Sequence, residues 1–136
     1  MKNIFEIVLK CIIVPSVNKK YGGAARFYTH RAHLADMFKL QHRDKNLNLL
    51  PAYGGLVGMR LTMITEKDYD NPLKALGDAL QEAGVITDDE NIRKAEIIIL
   101  GRETPKGKDS LKIEIWKLSK LNMIALIKKY GGWIYG

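Results

Sequence analysis

The stretch LVGMRLTMITEKDYDNPLKALGDALQEAGVITDDENIRKAEIIIL, residues 56–100, changes its hydrophobic period twice. Residues 56–65 alternate. Val57, Met59, Leu61 and Met63 fall on one side, and Arg60, Thr62 and Ile64 on the other, as in a strand with one face in a core. The period then becomes helical. Asn71 suits the N-cap and Pro72 the first helical position, Leu73, Leu76, Leu80 and Ala83 form an apolar stripe, and Gly84 is a helix stop. Glu96–Leu100, EIIIL, is a β-branched run dense enough to predict a central strand buried on both faces.

Outward from this stretch, residues 4–14 alternate as a further strand, with Phe5, Ile7, Leu9, Cys11 and Ile13 on one face, and Pro15 ends it. The loop PSVNKKYGG follows. RFYTHRAHLADMFKLQHRDK has helical spacing, with Phe27, His30, Leu34, Met37, Phe38 and Gln41 on one side. NLNLLPAYGG reads as a loop. On the C-terminal side, RETPKGKDS reads as a hairpin connection around Gly107, and Leu111–Leu118 as the returning strand. LNMIALIKK suggests a short helix. YGGWIYG reads as an apolar tail, its Trp133, Ile134 and Tyr135 expected to dock on the domain. The order β-α-β-α-β-β-α predicts a compact α+β domain, with helices packed on one face of a small mixed sheet.

The 136 residues fit one domain, and hydrophobic and charged fractions of 46% and 27% are ordinary globular values. The net charge of +7 is spread along the chain, which favours a charged face and a polyanionic partner. A single cysteine, Cys11, excludes an intramolecular disulfide framework and suits a reducing compartment. The first residues resemble a signal peptide only superficially, because Glu6 and Lys10 interrupt the apolar run and no small-residue cleavage site follows. No uninterrupted apolar run approaches transmembrane length. A soluble, cytoplasmic protein is expected.

Against that positive background, acids gather at the two ends of the helix. Asp68 and Asp70 are two residues apart in an extended stretch, so their carboxylates lean the same way. Asp88 and Asp89 follow Gly84, and they join the first pair only if the chain doubles back along the helix. A cluster of hard oxygen donors suits magnesium or manganese. Lys74 falls in the first helical turn, where its charge opposes the macrodipole. From there it can reach a phosphate, or pair with Asp78 at i, i+4. On composition and spacing alone, catalytic and capping roles account for these residues equally well. A calcium EF-hand is excluded, because Leu73 and Ala79 stand where its loop needs glycine and glutamate.

In this region the chain resembles the RusA family of Holliday-junction resolvases of bacteria and phages. The likeness rests on Asp68-x-Asp70-Asn71, Lys74, Asp78-Ala79-Leu80, Gly84 and Asp88-Asp89, together with Pro15-Ser16-x-Asn18 after the first strand. It covers roughly residues 4–118, an endonuclease domain over 1–118 with 119–136 as an extension. The resemblance implies a magnesium-dependent endonuclease, with manganese as a substitute, acting as a homodimer on four-way DNA junctions. It implies that Asp68, Asp70 and Asp89 bind the metal, with Asp88 a further candidate ligand. Lys74 is then the catalytic lysine, with Asn71 and Asp78 in support. Asn18, Lys19, Lys20, Tyr21 and Arg26 would contact DNA beside Lys74. Read from the residues alone, Arg31, Arg43 and Lys45 extend a basic face along the first helix only as a group, and each taken singly reads as a solvated surface charge.

Two alternatives stand beside this reading: a flap or branched-DNA nuclease of phage replication or packaging, and a non-catalytic basic DNA-binding protein. His30 and His33 are i, i+3 on a helix, but no second ligand pair suits zinc, so they read as ordinary helix residues.

Overall fold

The structure is a computed structural model and describes residues 2–12, 24–64, 72–100 and 109–132. Among the described residues there are four strands and three α-helices: β1 (Asn3–Ile12), α1 (Ala24–Gln41), β2 (Val57–Ile64), α2 (Pro72–Glu82), β3 (Ile92–Leu100), β4 (Asp109–Lys117) and α3 (Lys120–Tyr130). A 3-10 helix, Asp89–Asn91, leads into β3. The α+β class and element order are as expected, and the sheet is mixed. Its order is β1-β4-β2-β3, with β2 parallel to β3 and β4 antiparallel to both β1 and β2. No helix among these residues is long and apolar enough to cross a membrane.

The pleat decides what the sheet buries. Met59, Leu61 and Met63 of β2 lie opposite Ile115, Ile113 and Leu111 of β4, and Phe5 and Ile7 of β1 extend the same rows. All are buried, together with Leu34 and Phe38 of α1 and Leu76, Ala79 and Leu80 of α2. Phe5 meets Phe38 edge-on, ring centroids 6.0 Å apart. In α1 the exposed Gln41 is not part of this face. Its neighbour His42 is buried instead and donates from Nε2 to the Pro51 carbonyl at 3.2 Å. One turn of helix separates Phe38 from His42, which keeps both side chains over the core.

The even-numbered residues of β2 and β4 face away from α1 and α2. Glu6, Glu114, Arg60 and Glu96 form one row across the four strands. Two carboxylates directly opposite one another repel. Lys112 relieves the Glu6–Glu114 pair by reaching Glu6 at 3.1 Å and Glu114 at 3.9 Å, and Arg60 holds Glu96 at 2.9 Å. In the next row Trp116 lies beside Gly58, where a Cβ would come within 2.4 Å of the indole.

Three expectations are corrected. The EIIIL run belongs to an edge strand, not a central one: β3 begins at Ile92, pairs with β2, and leaves Ile97, Ile98, Ile99 and Leu100 at 40–50% exposure. β-branched density signals extended backbone; burial depends on what packs on it. Residues 102–110 do not join neighbouring strands as a hairpin, because β2 lies between β3 and β4. The returning strand, begun at Asp109, is an inner strand inserted between β1 and β2. Finally, the helices do not all share one face. α1 and α2 cover the core side, whereas residues of α3 line a cleft with Lys94 and Trp116 on the opposite side. Ser119 and Asn122 cap α3 reciprocally, and the helix buries no residue fully. The docking expected of Trp133, Ile134 and Tyr135 lies outside the described residues.

Candidate functional site

The chain does double back along α2. Gly84, at φ +76°, ends the helix in a paired-bond stop: Val85 N–H bonds Leu80 C=O at 3.0 Å and Gly84 N–H bonds Gln81 C=O at 3.1 Å. Val85 and Ile86 turn inward and are buried. The loop before β2 then pins the returning segment, since Tyr53 N–H bonds Val85 C=O at 3.0 Å and Thr87 N–H bonds Tyr53 C=O at 3.1 Å. Asp88 and Asp89 are delivered alongside α2 rather than beyond its end.

Three features seat Asp89. Its backbone N–H donates to the Gln81 side-chain Oε1 at 3.1 Å. Its Cβ rests over Gly77, where any side chain would begin 3.3 Å away. Its Oδ2 receives Lys74 Nζ at 3.2 Å. Lys74 also reaches Asp78 Oδ1 at 3.1 Å, the expected i, i+4 pair. Asp78 in turn lies 3.7 Å from Arg31 of α1, whose Nε is 3.5 Å from Glu82. The charges therefore run Glu82, Arg31, Asp78, Lys74, Asp89, alternating in sign and linking α1 to the start of β3.

Asp88 is a cap: its Oδ1 accepts from Glu90 N–H at 2.9 Å and starts the 3-10 helix. Asp68, Asp70, Asn71, Asn18, Lys19, Lys20 and Tyr21 lie outside the described residues, as does the Arg26 side chain. Arg31 and Arg43 are both engaged within the chain. Arg31 is drawn to Asp78 and Glu82, and Arg43 Nη1 donates to the Leu47 carbonyl at 2.8 Å, tying its own loop. Lys45 is exposed. Of the residues missed in the sequence, Gly77 had a signal, since a glycine inside a helix costs about 1 kcal/mol relative to alanine and needs a reason. Gln81 had none, and neither did the pairing of Arg31 with Asp78 and Glu82.

Burial pushes the Asp89 carboxyl up, but the hydrogen bond and charge of Lys74 outweigh it, and the group sits below the ordinary aspartate value. Lys74 is raised by its hydrogen bonds to Asp78 and then Asp89, and by their charges. The lowered Asp89 contributes stability that is present above its unfolded value of about 3.9 and lost as pH falls through the depressed folded value. The raised Lys74 contributes stability that is present below about 10.4 and lost as pH climbs through the elevated value. Because Lys74 is 57% exposed, Lys74→Met is expected to flatten both limbs of the stability–pH curve only slightly, as followed by urea unfolding across pH. Limbs of unchanged steepness would show that the pair does not couple to folding.

Against models of known protein families the chain matches none, and no curated protein matches it.

Proposed function

We propose that the chain is a magnesium-dependent, structure-selective endodeoxyribonuclease of the RusA type, acting as a homodimer on four-way DNA junctions. The observation that carries this reading is the return of Asp89 to Lys74 across Gly77. Such close seating of an acid and a lysine from separate segments is more than helix capping requires. Asp70 stands two residues before α2 and Lys74 is its third residue, so the short segment 68–71 leads directly into the same end of the helix.

The donor chemistry fits the metal. Asp68, Asp70 and Asp89 would hold it through hard oxygens, and one oxygen of Asp89 is not used by Lys74. Bound magnesium polarises a phosphoryl oxygen and lowers the pKa of a coordinated water. Lys74 is positively charged at neutral pH as any exposed lysine is, and its hydrogen bonds to Asp78 and Asp89 and their charges raise its pKa further. It supplies a fixed positive charge for a phosphate oxygen that gains charge during cleavage. Asp78, steadied by Arg31, keeps Lys74 extended along α2. The +7 charge of each subunit supplies salt-sensitive phosphate binding, and a two-fold dimer presents two equivalent sites for symmetric nicks.

A second reading has an observation in its favour. Lys74 already neutralises Asp78 and Asp89, and Asp88 is occupied as a cap, which is what a non-catalytic basic DNA-binding protein would need. Cleavage of four-way, flap and linear DNA, with magnesium and with chelator, separates the readings. Paired symmetric nicks in the four-way substrate, removed by chelator and by Asp70→Asn, are expected. Preference for the flap substrate would move the assignment to a branched-DNA nuclease. Tight binding without nicks under magnesium or manganese would leave the binding protein.

A further inference from the structure

Leu47 stands where the fold has no use for a leucine. Among the described residues it is the one non-glycine at positive φ, +64°, and its side chain is in solvent, the residue being 72% exposed. Glycine and asparagine enter that conformation easily, and leucine does not. Asparagines stand on either side of it, at Asn46 and Asn48. Neither the backbone nor burial accounts for the leucine, which leaves a contact outside the chain. The loop around it is closely tied. Asp44 Oδ1 accepts from Asn46 N–H at 2.8 Å and from Asn48 N–H at 2.9 Å. Arg43 Nη1 donates to the Leu47 carbonyl itself at 2.8 Å, and backbone bonds join Asp44 to Asn48 at 2.9 Å and Leu50 to His42 at 3.0 Å. A residue in a sparsely populated conformation persists when its surroundings fix it in this way, and such residues gather where a ligand is gripped.

Charge and position point to the partner. Asp44 is the only acid in residues 39–50, and its carboxylate is taken up by the N–H groups of the loop. No carboxylate of the described residues pairs with Lys39, Arg43 or Lys45, so the loop carries a positive surplus around an apolar tip. Phe5 meets Phe38 and His42 with ring centroids 6.0 Å away in each case. Phe5 lies opposite Ile115, and Ile115 opposite Met59 near the start of β2. β3 begins at that same end, with Ile92 opposite Val57. The loop that leaves α1 at His42 therefore emerges over the end of the sheet where Asp88 and Asp89 lead into β3. Tyr53, six residues beyond Leu47, bonds the returning segment at Val85 and Thr87. Six residues span at most about 20 Å, or about six base steps of DNA.

We infer that Leu47 is a wedge that enters a base step at the branch point of a DNA junction, with Arg43 and Lys45 facing the neighbouring phosphates. Apolar side chains inserted between base steps unstack them and bend the duplex, and a fixed loop spends no ordering entropy in doing so. At a branch point the stacking is already interrupted, which lowers the cost of entry. The inference rests on the reading of the chain as a protein of branched DNA, but on neither the metal nor the acids around Lys74.

The test uses the full chain and a synthetic four-way junction with the fluorescent base aminopurine beside the branch point, in chelator so that no strand is cut. Fluorescence reports unstacking, and anisotropy of an end label reports binding separately. Wild type is expected to bind and to raise the fluorescence. Leu47→Asn suits the backbone better, so its urea midpoint should equal or exceed that of wild type, and it should still bind through its phosphate contacts while losing most of the fluorescence rise. Leu47→Met, which keeps an apolar tip, should retain the rise. An undiminished rise in Leu47→Asn, a lowered urea midpoint in that variant, or binding by wild type without any rise overturns the wedge alone. Failure of wild type to bind the junction overturns the wedge together with the reading it rests on.

Discussion

Lys74→Met is expected to lower cleavage of a four-way junction by about 10²–10³-fold while leaving the fold and junction binding nearly intact. Methionine keeps the stem and the helix propensity and removes only the charge. The side chain is 57% exposed, so its ion pairs with Asp78 and Asp89 contribute little to stability. Removing a positive charge from the first turn of α2 also relieves its opposition to the macrodipole. Binding is spread over many phosphate contacts of a +7 chain, and losing one lysine lowers the salt slope by about one ion. Cleavage rate, junction affinity and urea midpoint measured on one preparation decide the matter. Parallel loss of affinity and cleavage would make Lys74 a DNA anchor. Unchanged cleavage would remove it from the chemistry altogether. Arg31→Gln should fall between these extremes, since it loosens Asp78 without touching the lysine itself.

The second large effect concerns the sheet. Gly58→Val is expected to destabilise the domain by about 3 kcal/mol, because its Cβ would overlap the Trp116 indole at 2.4–2.6 Å. The ring cannot easily move. It is nearly buried, and Arg60 lies over it at 5.8 Å. The penalty should therefore depend on the ring. In a Trp116→Leu background, which itself costs about 3 kcal/mol through lost packing, the added cost of Gly58→Val should fall below about 1 kcal/mol. Urea unfolding of the four proteins closes the cycle. Additive costs would mean that the penalty at Gly58 does not come from overlap with the Trp116 ring.

Local chemistry was legible in the sequence because it is settled within a few residues. Alternation in β1 and β2, the Pro72 start and Gly84 stop of α2, and the Lys74–Asp78 pair each depend on neighbours no more than four positions away. The return of Asp88 and Asp89 along α2 was visible only as a condition, and the contact with Lys74 that it brings to Asp89 was not visible at all. Meeting that condition took the Gly84 stop, which the sequence announces, and the Tyr53 pairing with residues 85–87, which it does not. Gln81 and Arg31 escaped for the same reason, since each acts on a residue from another segment.

The sequence by itself determined the α+β class, the order of the elements, the core faces of β2 and α2, and the acid-and-lysine pattern around α2. Only the tertiary structure decided that β4 lies between β1 and β2, that EIIIL forms an exposed edge, and that α3 lies opposite the other helices. Hydrophobic period reports how a residue's side chain points from its own backbone. Strand order depends instead on which faces can be buried together, and that is a property of the assembled sheet: Leu111, Ile113 and Ile115 complete the core between Phe5, Ile7 and the methionines of β2, a place the Ile97–Leu100 run does not fill.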